Sequence, residues 1–355
     1  MSFGDMQLVP YAPEGSWSDD LRRVLGAYKH GVGQPLQHAT LLQIAGSVEP
    51  EIGDSELDQI AQLREALCFA GLHRREFFNF KGYVNAHTFQ CIVQNFQRGT
   101  IGVGVTARRR DGSTSNFWFD EREVPCPAHV SPHSSLLVDE AIVAALLRRC
   151  AAAGDWLRDG IELFNLANTD SPDVRPHTEL LLAVASVQRL IGLEKKSDAH
   201  ELSARFADLL DLAVRSARRE GINDRPGLAS KEARRVWFED FYASRGVVAH
   251  GRPSGKPRAT WSIVEHLLLA SYVIPRLVLV RLQEFGDYQL TQTDRDEIAA
   301  FDYLLAEPKL FEPEERSNGA QHWPWREALS KAHDAVWHER AVLAFAEALG
   351  ADGED

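Results

Sequence analysis

The chain is poor in cysteine, and its four, Cys68, Cys91, Cys126 and Cys150, are scattered with no CxxC pair. That spacing excludes a disulfide framework and a finger-type zinc site, and it points to reduced thiols. A membrane span needs about 20 consecutive apolar residues. The longest such run, Leu267 to Val280, is interrupted by Pro275 and Arg276, so no span is expected. The opening MSFGDMQLVP has no basic region followed by an apolar stretch, so a secretory signal is not expected and a cytoplasmic location is. No repeat of fixed period is present, and no low-complexity run beyond the acidic last residues. Positive charge is in deficit. The 39 Lys and Arg against 51 Asp and Glu leave a formal charge of −12, which disfavours a protein that coats nucleic acid with its whole surface.

What is there is ordinary for a folded protein: 44% hydrophobic and 25% charged residues. At 355 residues the chain calls for two or three domains. Its charge is uneven, because Arg205 to Arg258 holds twelve Lys/Arg against seven Asp/Glu, a local +5 in an acidic chain. Such a region suits a phosphate backbone at one place, and it equally suits a solvated helix face.

Residues 1 to 35 are rich in Gly, Pro and Ser around one short helix, Ser18 to Lys29, with Ser18 as its cap; they read as an arm or linker. Helical spacing of Leu57, Ile60, Leu63 and Leu67 predicts a helix over 56 to 69. The period then changes, and Thr88 to Phe96, Thr100 to Ala107 and Ser115 to Phe119 read as strands, with Asp111-Gly112 as a hairpin signal and Arg108 to Arg110 at its tip. Cys126, His129 and His133 make a C-x2-H-x3-H cluster, but Pro125, Pro127 and Pro132 make the segment irregular and no fourth ligand is near. No metal and no cofactor are expected. From Leu136 the pattern is helical: Leu136 to Ala152, Asp155 to Leu166, His177 to Leu193, Asp198 to Arg219, Lys231 onward, Thr260 to Phe285, Asp294 to Leu305 and Trp325 to Leu349.

The least ordinary segment is Phe241-Tyr242-Ala243-Ser244-Arg245-Gly246-Val247-Val248-Ala249-His250-Gly251. On a helix with Trp237, Phe238 and Phe241 inward, Arg245 projects about 40° from Phe241, so an arginine sits at the buried stripe and requires a carboxylate, a carbonyl or a ligand phosphate. Gly246, Val247 and Val248 weaken the helix there, while Gly251 and Pro253 end it, which leaves His250 in its last turn. The macrodipole at a helix C-terminus favours imidazolium, which suits acid/base work near neutrality. Arg245 and His250 are about 140° apart on an ideal helix and do not share one face.

Phe241 to Gly251 resembles the R-x4-6-H signature of HEPN domains, and Tyr-x-x-Arg-x4-His-Gly is similar to the ApeA-like branch. Asp155 to Asn168 and His177 to Gly192 resemble the opening helices of that branch, so the similarity covers roughly 150 to 290. With the residue pattern, which gives a small N-terminal α+β domain at 1–135 and a helical extension at 291–355, the resemblance implies a mainly α fold with a C-terminal HEPN-like helical bundle at 136–290 and a sensor or regulatory role for the N-terminal domain. It further implies a homodimer closed about the motif and a metal-independent endoribonuclease. His250 would be acid/base and Arg245 phosphate binder, with Tyr242, Ser244, Arg252, Lys256 and Arg258 contacting RNA. A toxin or anti-phage defence role, with an antitoxin or regulatory partner and no membrane, fits that family. Gly246, where active members often carry a polar residue, and Ser186 or Gln188, where an acidic residue is common, favour the alternative of a catalytically inactive HEPN module that binds nucleotide, RNA or a protein partner.

Overall fold

The computed structural model describes residues 1–26, 28–30, 34–35, 39–44, 53–79, 82–89, 91, 103–108, 111, 113–119, 124–126, 137–152, 156–192, 198–211, 233–250, 260–307, 310, 314–315, 321–322 and 324–351. The chain is mainly helical and separates into two compact units. Met1–Arg64 with His87–Ser135 form the first, and Glu65–Ala86 with Leu136–Asp355 form the second.

The first unit holds short sheets. Strands β1 (Ser2–Phe3) and β2 (Met6–Tyr11) precede helix α1 (Asp19–Gly26), β3 (Tyr28–His30), β4 (Gln34–Pro35) and β5 (Ala39–Ile44). β2 pairs antiparallel with β5, from Met6 opposite Ile44 to Tyr11 opposite Ala39, and β1 adds to the other edge of β2. The opening residues are therefore not an arm or linker. Buried Tyr11, Leu25 and Tyr28 pack with Trp17, Leu21, Ala39 and Leu41, so the segment has its own small apolar core. Ser18 does cap α1, its hydroxyl accepting the Leu21 amide at 3.2 Å, but the helix stops at Gly26 and Lys29 lies in β3.

Helix α2 (Asp54–His73) follows. The strand expected at Thr88 to Phe96 begins instead as a 3-10 turn, Ala86–Phe89, fixed at its start by the Ala86 amide on the Asn168 carbonyl; the rest of that stretch lies outside the described residues. β6 (Val103–Arg108) and β7 (Thr114–Phe119) form the hairpin that Asp111-Gly112 signals, with Arg108 opposite Thr114. β8 (Val124–Cys126) runs parallel to β3. His129 and His133 lie outside the described residues, as do Arg109 and Arg110.

The second unit is a helical bundle: α3 (Glu140–Ala152), α4 (Trp156–Ala167), α5 (Pro176–Ile191), α6 (Ala199–Leu209), α7 (Ala233–His250), α8 (Ile263–Glu284) and α9 (Gln292–Ala306), then a small β9 (Glu314–Glu315) and β10 (Gln321–His322) pair and α10 (Pro324–Ala351). Caps explain the boundaries. Asp198 accepts the His200 and Glu201 amides, Ser262 and Thr291 form capping boxes with Glu265 and Asp294, and Gly192 closes α5 in the left-handed region at φ 71°. α6 ends at Leu209 rather than running to Arg219; residues 212–232 lie outside the description.

α8 is the central helix. It is the one described helix long and apolar enough to cross a membrane, yet 72% of its most apolar window is buried inside the protein, as for a bundle core. Residues 65–86 belong to this unit because Phe69 packs edge-on against Phe164 at 5.8 Å and Asn165 donates to the Glu65 carbonyl at 3.1 Å and carboxylate at 2.7 Å. Nor do residues 291–355 form a separate extension. Phe301 and Leu304 on α9 are buried, and Arg234 at the start of α7 grips Asp302 with two bonds of 2.8 and 2.7 Å, both side chains being withdrawn from solvent. α4 and α5 approach closely at Gly160, whose carbonyl accepts the buried Ser186 hydroxyl at 2.6 Å.

Candidate active site

α7 is anchored by aromatic packing. Trp237 stacks on Phe241 at 4.9 Å, and Phe238 stacks on Phe206 of α6 at 5.1 Å, all four rings fully buried. Tyr242 continues the stack on Phe238 at 6.2 Å and is half-buried. One turn later Arg245 is also half-buried. Its guanidinium carbon lies 5.6 Å from the Tyr242 ring centre, and Nη1 stands 3.5 Å from the Tyr242 hydroxyl, at the outer limit of a hydrogen bond. Among the described residues Arg245 has no carboxylate partner, so the counter-group that a desolvated arginine calls for is not supplied by the described bundle. Ser244 is half-buried beside it.

The helix does not weaken at Gly246. It runs unbroken from Ala233 to His250, because a mid-helix glycine costs only about 1 kcal/mol and the aromatic face upstream outweighs that. His250 is the terminal helical residue, while its side chain lies outside the described residues, as do Arg252, Lys256 and Arg258. With the helix intact, Arg245 and His250 are about 7.5 Å apart along its axis and about 140° apart around it. One copy of α7 does not turn both groups to one point.

The structure adds two residues that sequence reasoning passed over. Asp240 accepts the backbone amides of Thr260 and Trp261 at 2.9 and 3.1 Å, so it pins the chain where it returns to begin α8. Thr260 and Trp261, which lead into α8, are thus tied back to α7. His266, fully buried, sits among Trp237, Phe241 and Trp261 with its Nε2 3.4 Å from the same Asp240 carboxylate. Neither ring nitrogen makes a well-directed hydrogen bond, so the contact is an electrostatic approach rather than a bond. Only the pairing across 20 residues reveals Asp240.

No family model, curated protein or solved structure matches the chain.

Ser186, at a position where the resemblance leads one to look for an acidic group, has a packing duty instead. It is fully buried and spent on the Gly160 carbonyl. One cluster has the composition of a metal site: His73, Asp294 and Glu297 place ligand atoms within 4.8 Å of one another. The two carboxylates already have partners. Arg276 binds Glu297 at 2.8 Å, and Asp294 is occupied by the Thr291 amide and hydroxyl, each at 2.7 Å, and by the Tyr288 hydroxyl at 3.1 Å. Burial, then Arg276 and Arg74, hold His73 well below the usual imidazole range. The set fits guanidinium groups and a neutral imidazole better than a divalent ion.

Proposed function

We propose that the helical unit is a metal-independent endoribonuclease of HEPN type, acting as a homodimer in the cytoplasm, with the anti-phage or toxin role that such a nuclease serves. The observation that carries the reading is Arg245, a half-buried cation with no carboxylate partner among the described residues, five positions before the histidine that ends the same helix. An unneutralised guanidinium in a partly desolvated place is a phosphate receptor. His250 removes the ribose 2′-hydroxyl proton, the 2′-oxygen attacks phosphorus, and the 5′-oxygen leaves with a proton returned by an imidazole. Arg245 neutralises the extra charge that gathers on the non-bridging oxygens. Since one helix does not converge the two groups, Arg245 of one copy works beside His250 of the other. Tyr242 and Ser244 flank the phosphate, and Arg252, Lys256 and Arg258 hold the strand on either side.

Purified protein incubated with labelled RNA in EDTA tests this. Wild type is expected to leave 2′,3′-cyclic phosphate ends, and His250→Ala or Arg245→Ala to slow cleavage by at least about 100-fold while remaining folded and dimeric. Equal cleavage by wild type and both variants removes the assignment. A second reading, a silent module that binds RNA without cutting it, is favoured by Gly246, beside which a Cβ would meet nothing within 4 Å. Packing does not require glycine there, and the room beside it suits close approach of a ligand. RNA retained at full length by a protein that binds it decides for this second reading.

A further inference from the structure

Away from α7, the second unit carries a half-open pocket of about 270 Å³ between Arg75, Phe77, Phe78 and Tyr83, the α4–α5 connection and α8. We propose that it binds a free α-amino acid with a large apolar side chain.

The first ground is Arg75. Its side chain is nine-tenths buried and pairs with a neutral group, the Asn168 amide oxygen at 2.5 Å, rather than with a carboxylate. Its Nε has no hydrogen-bond partner, and its guanidinium lies over the rings of Phe77 and Tyr83 at 4.5 and 5.6 Å. Asn168 is held rigid for this contact: its oxygen also accepts the Ser271 hydroxyl at 3.0 Å, and its nitrogen donates to the Phe164 carbonyl at 2.7 Å. A fixed, desolvated guanidinium with aromatic flanks, which no carboxylate bonds directly and which Asp170 faces only through the Tyr83 hydroxyl, has donors to offer a ligand carboxylate.

The second ground is the opposite charge across the same space. Asp170, which accepts the Tyr83 hydroxyl, and half-buried Glu179 both line the pocket. The lining thus carries both signs, with Arg75 on one side and Asp170 and Glu179 facing it, so an anion alone meets the carboxylates and a cation alone meets the guanidinium. A ligand with an ammonium and a carboxylate on one carbon answers both ends. The remaining wall, Val264, Leu267 and Leu268 of α8, is apolar. A cavity of about 150 Å³ accepts benzene, so this volume takes an aromatic ring together with a backbone.

The third ground is backbone strain. Among the described residues two non-glycine positions adopt left-handed φ, Phe78 at 58° and Asp170 at 51°, and both line this pocket. A bulky residue held there is a true outlier, and such strain collects where a ligand clamp is formed.

Calorimetry or ligand-observed NMR on the full chain with phenylalanine, tryptophan and leucine tests the proposal. Each is run beside phenethylamine, which lacks the carboxylate, and 3-phenylpropionate, which lacks the amine. Phenylalanine or tryptophan should bind at least ten times more tightly than either one-charge analogue. Glu179→Gln should weaken the amino acid but not 3-phenylpropionate, and Val264→Trp, at the exposed rim, should block both while circular dichroism shows a folded protein. Arg75→Gln should abolish preference for the carboxylate, and the two rim variants keep the test decisive if it does not fold. Equal affinity for zwitterion and one-charge analogues, binding unaffected by Val264→Trp, or no binding of any of the three amino acids to folded wild type at 10 mM overturns the proposal.

Discussion

Arg234 and Asp302 give a quantitative test of what holds the motif helix in place. Asp302 is fully buried and Arg234 nearly so, and the two are joined by paired bonds of 2.8 and 2.7 Å between α7 and α9. Removing one partner takes a two-bond ion pair from the other in a buried site, which costs about 3–5 kcal/mol. Replacing both with apolar groups of similar volume is close to neutral. A domain is stable by only about 5–15 kcal/mol. Arg234→Met and Asp302→Leu should therefore each remove about a fifth or more of the total, and the double variant should recover most of it. Urea unfolding followed by circular dichroism and tryptophan fluorescence, with the four proteins arranged as a double-mutant cycle, gives the coupling. If each single variant loses less than about 1 kcal/mol, or the double variant loses the sum of the two, the pair is not the desolvated clamp described here. The orientation of Arg245, about 16 Å further along the same helix, then depends on the aromatic stack and the Asp240 contacts instead.

Two glycines should respond to alanine with opposite signs. Gly160→Ala drives a Cβ to 2.8 Å from the Leu190 side chain and 3.4 Å from the Ser186 carbonyl, so thermal unfolding should show a loss of about 1–3 kcal/mol. Gly246→Ala meets open space inside a continuous helix and should gain about 0.5–1 kcal/mol. Burial depresses the His73 pKa in the folded state, so below the unfolded value near 6.5 the unfolded chain binds a proton that the folded chain does not. Stability should fall as pH drops from 6.5 toward the folded pKa, by about 1.4 kcal/mol per unit, and His73→Leu should flatten that part of the profile; parallel profiles for the two proteins would contradict it.

Most of the bundle is legible in the sequence, because its signals are local. Asp198, Ser262, Thr291 and Gly192 stand where helices start and stop, and the 3.6-residue stripe runs between them. What depends on distant partners is not. β2, with Pro10 one residue from its end, reads as an arm until Ala39–Ile44 pairs with it. The same holds for the sites. Arg245 stands out as a cation beside an aromatic stripe, whereas Arg75 takes its meaning from Asn168, 93 positions away, and Asp240 from Thr260 across the undescribed 251–259 segment. Residues 65–86 could not be given to the bundle from their own pattern, since partners far along the chain, Phe164, Asn165 and Asn168 among them, claim them.

The double hold of Asp240 on Thr260 and Trp261 has an energetic corollary. With both ends of the intervening stretch secured on one helix, doubling its length adds only about 0.6 kcal/mol of closure entropy. The energetic weight of the connection therefore rests on that one carboxylate rather than on the number of residues joining the two helices, and a change at Asp240 on α7 would be felt where the central helix begins.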